Sequence, residues 1–149
     1  ALRAGAMAIG AEVEITTIPG YLPMYQNEEL NNLYEQNSID LVGDEGVDRS
    51  NVGRFGGFST DMGDMSQLMP IIHPSVLSTS GDGHGIDYVV EDYHSAVITA
   101  AKAMALTVID LLHEHGQKAK EIVDNFEPLL SNDAYLKLLR SMYKEEKFK

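Results

Sequence analysis

The rhythm of hydrophobic and polar positions changes several times along this chain, and each change predicts an element. Ala1 to Gly10 is small and apolar, suited to a helix lying close on a sheet. Glu12-Val13-Glu14-Ile15-Thr16-Thr17-Ile18 then alternates with the period of a half-buried strand. Pro19-Gly20-Tyr21-Leu22-Pro23 interrupts it as a turn or interdomain crossing. Asn27 stands where it would cap a short helix, with Leu30, Leu33 and Tyr34 on one face. From Asn37 to Gly57 the chain is rich in Gly and Asp around one short strand candidate, Ile39 to Val42. Leu68 to Ile72 and Val76 to Thr79, bounded by prolines and glycines, are the main strand candidates.

The strongest helical pattern runs from Tyr93 to His115. Ala96, Ala100, Ala103, Met104, Val108, Leu111 and Leu112 give it a broad apolar face, and Gly116 falls where a C-terminal glycine cap belongs. Its many alanines predict close packing on a sheet. Lys118 to Leu130 and Asn132 to Lys147 follow as amphipathic helices. Strands mixed with helices, ending in a helical run, predict an α/β layer.

Composition narrows this picture. At 149 residues with 44% hydrophobic content, the chain is long enough for one core. It does not start with Met, and its first helix lacks a capping side chain, so it reads as a segment of a longer polypeptide. With no cysteine, any metal must be held by nitrogen and oxygen. No apolar run approaches the roughly 18 residues of a membrane span, and no signal peptide is evident. The expectation is a cytoplasmic protein without a membrane partner. The net charge of −12 is uneven: residues 1 to 133 carry 6 basic against 21 acidic residues, and residues 134 to 149 carry 5 against 2. A surface so acidic repels phosphate backbones, which argues against a nucleic-acid partner. The basic tail reads as the end of a solvated helix.

Candidate chemistry concentrates between Gly57 and Gly85. Asp61 and Asp64 could ligate a cation or orient a histidine, or simply perform turn and capping work. His73, His84 and His94, spaced by eleven and ten residues, match no compact zinc pattern. By spacing alone, His84 between Gly83 and Gly85 reads first as a solvated loop histidine, although its uncrowded ring could reach a shared metal. His73 reads as a strand-end residue and His94 as a cap, while His113 and His115 complement the dipole at a helix end. A triad of Ser59, His94 and Asp61 lacks the strand-to-helix nucleophile turn. Gly43 to Asp48 does not fit a calcium loop and reads as a mobile surface loop.

The order of several short motifs goes beyond any one of them. Ser59-Thr60-Asp61-Met62-Gly63-Asp64-Met65-Ser66, Met69-Pro70, Ile72-His73-Pro74, Gly83-His84, and Ala100 to Ala105 with Asp110-Leu111-Leu112 resemble the C-terminal part of a metallo-amidohydrolase. The family is that of aminoacylases and glutamate carboxypeptidases, in the branch of aminobenzoyl-glutamate hydrolases and related dipeptidases. The likeness spans Glu12 to Leu112, including Pro19 to Pro23 and Asn27. It implies a zinc-peptidase-like α/β catalytic domain interrupted by a ferredoxin-like lid that often forms homo-oligomers. Residues 1–20 would end the lid, and residues 21–149 would close the catalytic domain.

The resemblance also implies a divalent metal, zinc or manganese, with His84 as one ligand. Thr60 and Asp61 would line the substrate pocket. The reaction implied is hydrolysis of a small amide, an N-acyl amino acid or a dipeptide-like molecule. Two ions about 3.5 to 4 Å apart would activate water and steady the oxyanion. The remaining ligands and the general base lie in motifs absent from these residues. The expectation is a chain inactive alone, completed by an N-terminal portion of the same enzyme. A non-catalytic interaction or structural subunit with the same fold is the alternative.

Overall fold

A computed structural model describes residues 1–50 and 59–149. It contains helix α1 (Leu2–Ala8), strand β1 (Val13–Thr17), helix α2 (Glu28–Val42), the short helix α3 (Met62–Ser66), strands β2 (Thr79–Ser80) and β3 (Val89–Val90), helix α4 (Ala100–Asn125), helix α5 (Asn132–Met142) and strand β4 (Lys144–Phe148). Helices dominate, and the strands form two antiparallel pairs, β1 with β4 and β2 with β3. The architecture is mixed helix and sheet, loosely compatible with α/β.

α2 begins where the sequence places its cap: Asn27 Oδ1 accepts from Leu30 N at 2.9 Å. The helix then runs through Ile39 to Val42, which is therefore not a strand. Its continuation follows from helical spacing, because Asn37 is buried one turn after Leu33 and faces α4. Asn37 Nδ2 donates to Asp110 Oδ2 at 2.8 Å and approaches Thr107 Oγ1 at 3.4 Å, joining the helices by side-chain polar contacts. Gly43, at φ 77°, ends the helix. The segment after it is not free: Arg49 bonds Glu35 on α2 at 2.7 Å and Asp44 at 2.8 Å.

The other strand candidates depart further from expectation. Leu68 to Ile72 lies in turn and coil: Leu68 N and Met69 N donate back to Met65 O, and Ile71 O accepts from Asn27 N. Of Val76 to Thr79, only Thr79 enters a ladder. Apolar content suited both stretches to strands, but a strand also needs a partner, and the described residues offer Leu68 to Ile72 none. The basic tail is a strand, not the end of a helix: β4 pairs with β1, placing Lys147 opposite Glu14 in an ion pair. Phe148 lies across from Val13, with the Arg3 guanidinium 4.2 Å from its ring centroid.

The long helical stretch begins as a π-helix over His94–Thr99 and breaks near its middle. Glu114 (φ 49°), His115 (φ 61°) and Gly116 (φ 75°) are left-handed, so the arms 100–112 and 117–125 are separate helices. Gly116 adopts the left-handed backbone expected of a cap, but two non-glycine residues share it. The second arm rests on the start of α2, where Glu29 meets Asn125 at 3.2 Å and Lys118 at 3.6 Å. The following helix stops at Asn125, short of Leu130.

Little of this is a closed core. Among the described residues, the buried apolar side chains are Ile71, Ala103 and Ile122. The accessible surface is 11232 Å², against about 7,500 Å² for a compact chain of this size. His94–Asn125 is apolar enough over 18 residues to cross a bilayer by length and composition, although its span contains charges. Core helices of soluble proteins pass the same test when mostly buried, whereas 11% of this window is buried.

The left-handed turn generates a prediction. A non-glycine residue there costs about 1–2 kcal/mol, while glycine adds up to about 1 kcal/mol of unfolded-state entropy. His115→Gly is therefore expected to raise the urea midpoint by the equivalent of about 0.5–1 kcal/mol, and His115→Val to lower it. Equal midpoints for the two variants would contradict the left-handed assignment.

Candidate functional site

Side chains at the end of the Ser59 to Ser66 motif and just after it bond the backbone of Leu22 to Tyr25. Thr60 Oγ1 accepts from Met62 N at 3.4 Å, and Thr60 O accepts from Gly63 N at 3.0 Å, turning the chain into α3. α3 then presses on the segment after the proline break. Asp64 Oδ1 accepts from Leu22 N at 3.0 Å, and Ser66 Oγ accepts from Tyr25 N at 3.1 Å while donating to Gly63 O at 2.6 Å. Gln67 Nε2 donates to Pro23 O at 2.7 Å. A Cβ on Gly63 would lie 1.9 Å from Leu22 O, so only glycine permits this approach.

The two carboxylates considered from sequence therefore have different situations. Asp64 is half-buried and accepts from the backbone of Leu22, 42 positions away, a tertiary clamp and not the local turn or capping work considered for it. It also faces Tyr135: partial burial first, and the Asp64 carboxylate second, hold that phenol above its ordinary range. Asp61 is exposed and touches Thr60 Oγ1 at 3.3 Å. Thr60 and Asp61 thus stand side by side at the entrance to α3, with Asp61 free to meet solvent or a ligand. Gly57 and Phe58, at the start of the candidate region, lie outside the described residues.

His84 sits on the turn joining β2 and β3. Gly85 N donates to Asp82 O at 2.7 Å, and Tyr88 N to Gly85 O at 3.3 Å. This tight turn places His84 at φ 67°, unusual for a residue with a Cβ, and leaves it exposed. Among the described residues, no side-chain hydrogen bond or ion pair involves its ring, and none links its turn to Thr60 or Asp61. His73 is exposed and its backbone N donates to Gln26 Oε1 at 2.9 Å. His94 opens the π-helix, beside Asp92; the Asp92 carboxylate is held low by bonds from Ser95 Oγ at 2.6 Å and Ser95 N at 3.0 Å.

Among the described residues, no three His, Asp or Glu side chains gather as a metal-holding group. A catalytic zinc ordinarily takes three protein ligands. Among the described residues, no such group of donors forms, and His73, His84 and His94 are not brought together into one. Two polar clusters were not foreseen as such. The first is Gln67 with Ser66, whose signal was only a polar pair preceding the apolar stretch Leu68 to Ile72. The second is Asn37 with Thr107 and Asp110, legible only once Asn37 is placed on a helix rather than before a strand.

No known protein-family profile, curated protein or solved structure matches this chain with significance.

Replacing Gly63 by Ala is expected to cost more than about 2 kcal/mol, since the backbone of Leu22 must move. Ser66→Ala should cost about 1–3 kcal/mol by leaving Tyr25 N without its acceptor, while Gly63 O keeps Gln67 Nε2. Chemical denaturation measures both; wild-type midpoints would show that α3 does not clamp Leu22 to Tyr25. A raised folded-state pKa at Tyr135 also sets a sign. Its contribution is intact below about pH 10, the unfolded phenol value, and is lost as pH rises through the higher folded value. Spectrophotometric titration should find the Tyr135 pKa lower in Asp64→Asn, and an unchanged titration would remove Asp64 as a cause.

Proposed function

We propose that this chain is one portion of a metal-dependent amidohydrolase or peptidase, of the aminoacylase and glutamate carboxypeptidase type, that cleaves an amide in a small N-acyl amino acid or dipeptide-like substrate. The order of Thr60-Asp61, His73-Pro74, Gly83-His84 and the alanine-rich helix carries this reading. In it, His84 supplies one ligand to a divalent ion, zinc or manganese. Thr60 and Asp61 line the substrate side. Residues 1–20 belong to a lid and the rest to the catalytic domain.

Two structural features support the portion over the whole. The His84 imidazole is exposed on a glycine-flanked turn, with no partner among the described residues, which supports a ligand role shared with residues from elsewhere. The surface in excess of a compact chain, about 3,700 Å², exceeds the roughly 800 Å² per partner of a standard interface. A domain divided between polypeptide segments exposes surface on that scale. The same surface favours the second reading, a structural subunit that retains the interface without the chemistry.

The isolated chain is expected to hydrolyse neither N-acyl amino acids nor dipeptides with Zn²⁺ or Mn²⁺ supplied; measurable turnover would refute its incompleteness. Co-expressed with the polypeptide encoded immediately upstream, it should gain hydrolysis that chelation abolishes. His84→Asn keeps a residue tolerant of left-handed backbone and removes the imidazole. It should lower that activity more than about 100-fold, beyond the usual effect of an outer-shell change. An active complex indifferent to His84→Asn would exclude the ligand role, and an inactive complex would favour the structural subunit.

A further inference from the structure

The turn that carries His84 also carries a reactive pair. Asp82-Gly83 is the one place in the sequence where glycine directly follows Asp or Asn. With no Cβ beside it, the glycine amide nitrogen can swing onto the preceding side-chain carboxyl more freely than that of any other residue. The reaction needs a free amide, a free carboxyl and a backbone able to rotate.

All three conditions meet here. Asp82, Gly83 and His84 are exposed. Gly85 N donates to Asp82 O at 2.7 Å, and His84 takes positive φ while Gly83 does not, the sign pattern of a type II turn. Such a turn bonds through its first and fourth residues, and Gly83 N and the Asp82 carboxylate have no partner among the described residues. β2 and β3, at the base of the turn, pair through two residues each, so the turn opens at small cost. Asn37-Ser38 makes the contrast. It lies within α2, with Asn37 buried and its Nδ2 bonded to Leu33 O and Asp110 Oδ2.

We infer that Asp82-Gly83 is a self-modification site, at which aspartate converts to isoaspartate through a cyclic imide. Gly83 N bonds to Asp82 Cγ and gives up its proton, while the Cγ–OH bond of the protonated carboxyl breaks and one water leaves. Water then adds to either imide carbonyl. At Cγ it restores aspartate; at the main-chain carbon of Asp82 it breaks the bond to Gly83 N, and the chain thereafter runs through Cβ and Cγ. The mass returns to its starting value, and no oxidant or cofactor takes part. The product has one more carbon in its main chain, which separates Asp82 O from Gly85 N and releases the turn that holds His84 left-handed. None of this depends on the amidohydrolase reading.

The test incubates the full chain at mildly acidic pH, in water enriched in heavy oxygen, and maps its peptides by chromatography and mass spectrometry. Isoaspartate carrying solvent oxygen should accumulate at Asp82 about tenfold faster than at any other Asp or Asn, Asn37 included. Space around Gly83 is open and its φ is not left-handed, so Gly83→Ala keeps the turn and should slow conversion about tenfold by crowding the nitrogen. In urea, Asn37 should begin to convert while the rate at Asp82 stays close to its folded value. In the isolated isoaspartyl form, exchange of the Gly85 amide should rise about tenfold. Conversion no faster at Asp82 than elsewhere, or undiminished in Gly83→Ala, would overturn the inference. A large acceleration at Asp82 in urea would overturn it too, by showing that the fold shields the turn, and unchanged Gly85 exchange would overturn the effect on His84.

Discussion

The contact between Gly63 and the carbonyl of Leu22 governs the middle of this structure. It brings α3 close enough to the chain at Leu22 to Tyr25 for Asp64, Ser66 and Gln67 to reach three successive parts of that backbone. Once those bonds form, Asn27 N lies within reach of Ile71 O and Gln26 Oε1 within reach of His73 N. Two stretches separated by some forty positions are thus laced together without a regular sheet. Polar bonding does here what apolar packing does in most domains, and it defines the floor from which Thr60 and Asp61 project.

The apolar side of the ledger is thin by comparison. Among the described residues, Ile71, Ala103 and Ile122 are too few to hold helices of this length, so much of the order comes from caps, clamps and inter-helix polar contacts. The Asn37, Thr107 and Asp110 cluster fixes the register of α2 on α4, because a shift by one residue would carry Asn37 away from both partners. Such contacts specify an arrangement more effectively than they stabilise it, since each replaces bonds already made to water.

Sequence patterns anticipated those features that depend on near neighbours. The Asn27 cap, the alternation at β1, the glycine turn around His84 and the helix after Tyr93 all have local causes: a side-chain acceptor, a period of two, a residue that permits a tight turn, an apolar repeat. The failures are non-local. Ile39 to Val42 is as apolar as a strand, but burial of Asn37 against α4 continues the helix through it. Lys144 to Phe148 looked like helix because nothing nearby stops it, and its partner lies at Val13 to Thr17. At the candidate site, the glycines around His84 were legible, whereas the division of labour between Asp61 and Asp64 depends on Leu22, which no spacing rule connects to them.

The pairing of β1 with β4 bears on the order of folding. Residue 17 meets residue 144, so the pair closes a loop whose entropic cost is about 4 kcal/mol, in exchange for a two-stranded ladder with charged outer residues. A contact of such long sequence separation forms late, after the helices and the α3 clamp have shortened the effective loop. It is also the first contact expected to open under load. Strain applied at either terminus would be released at this clasp while α2, α3 and α4 remain joined.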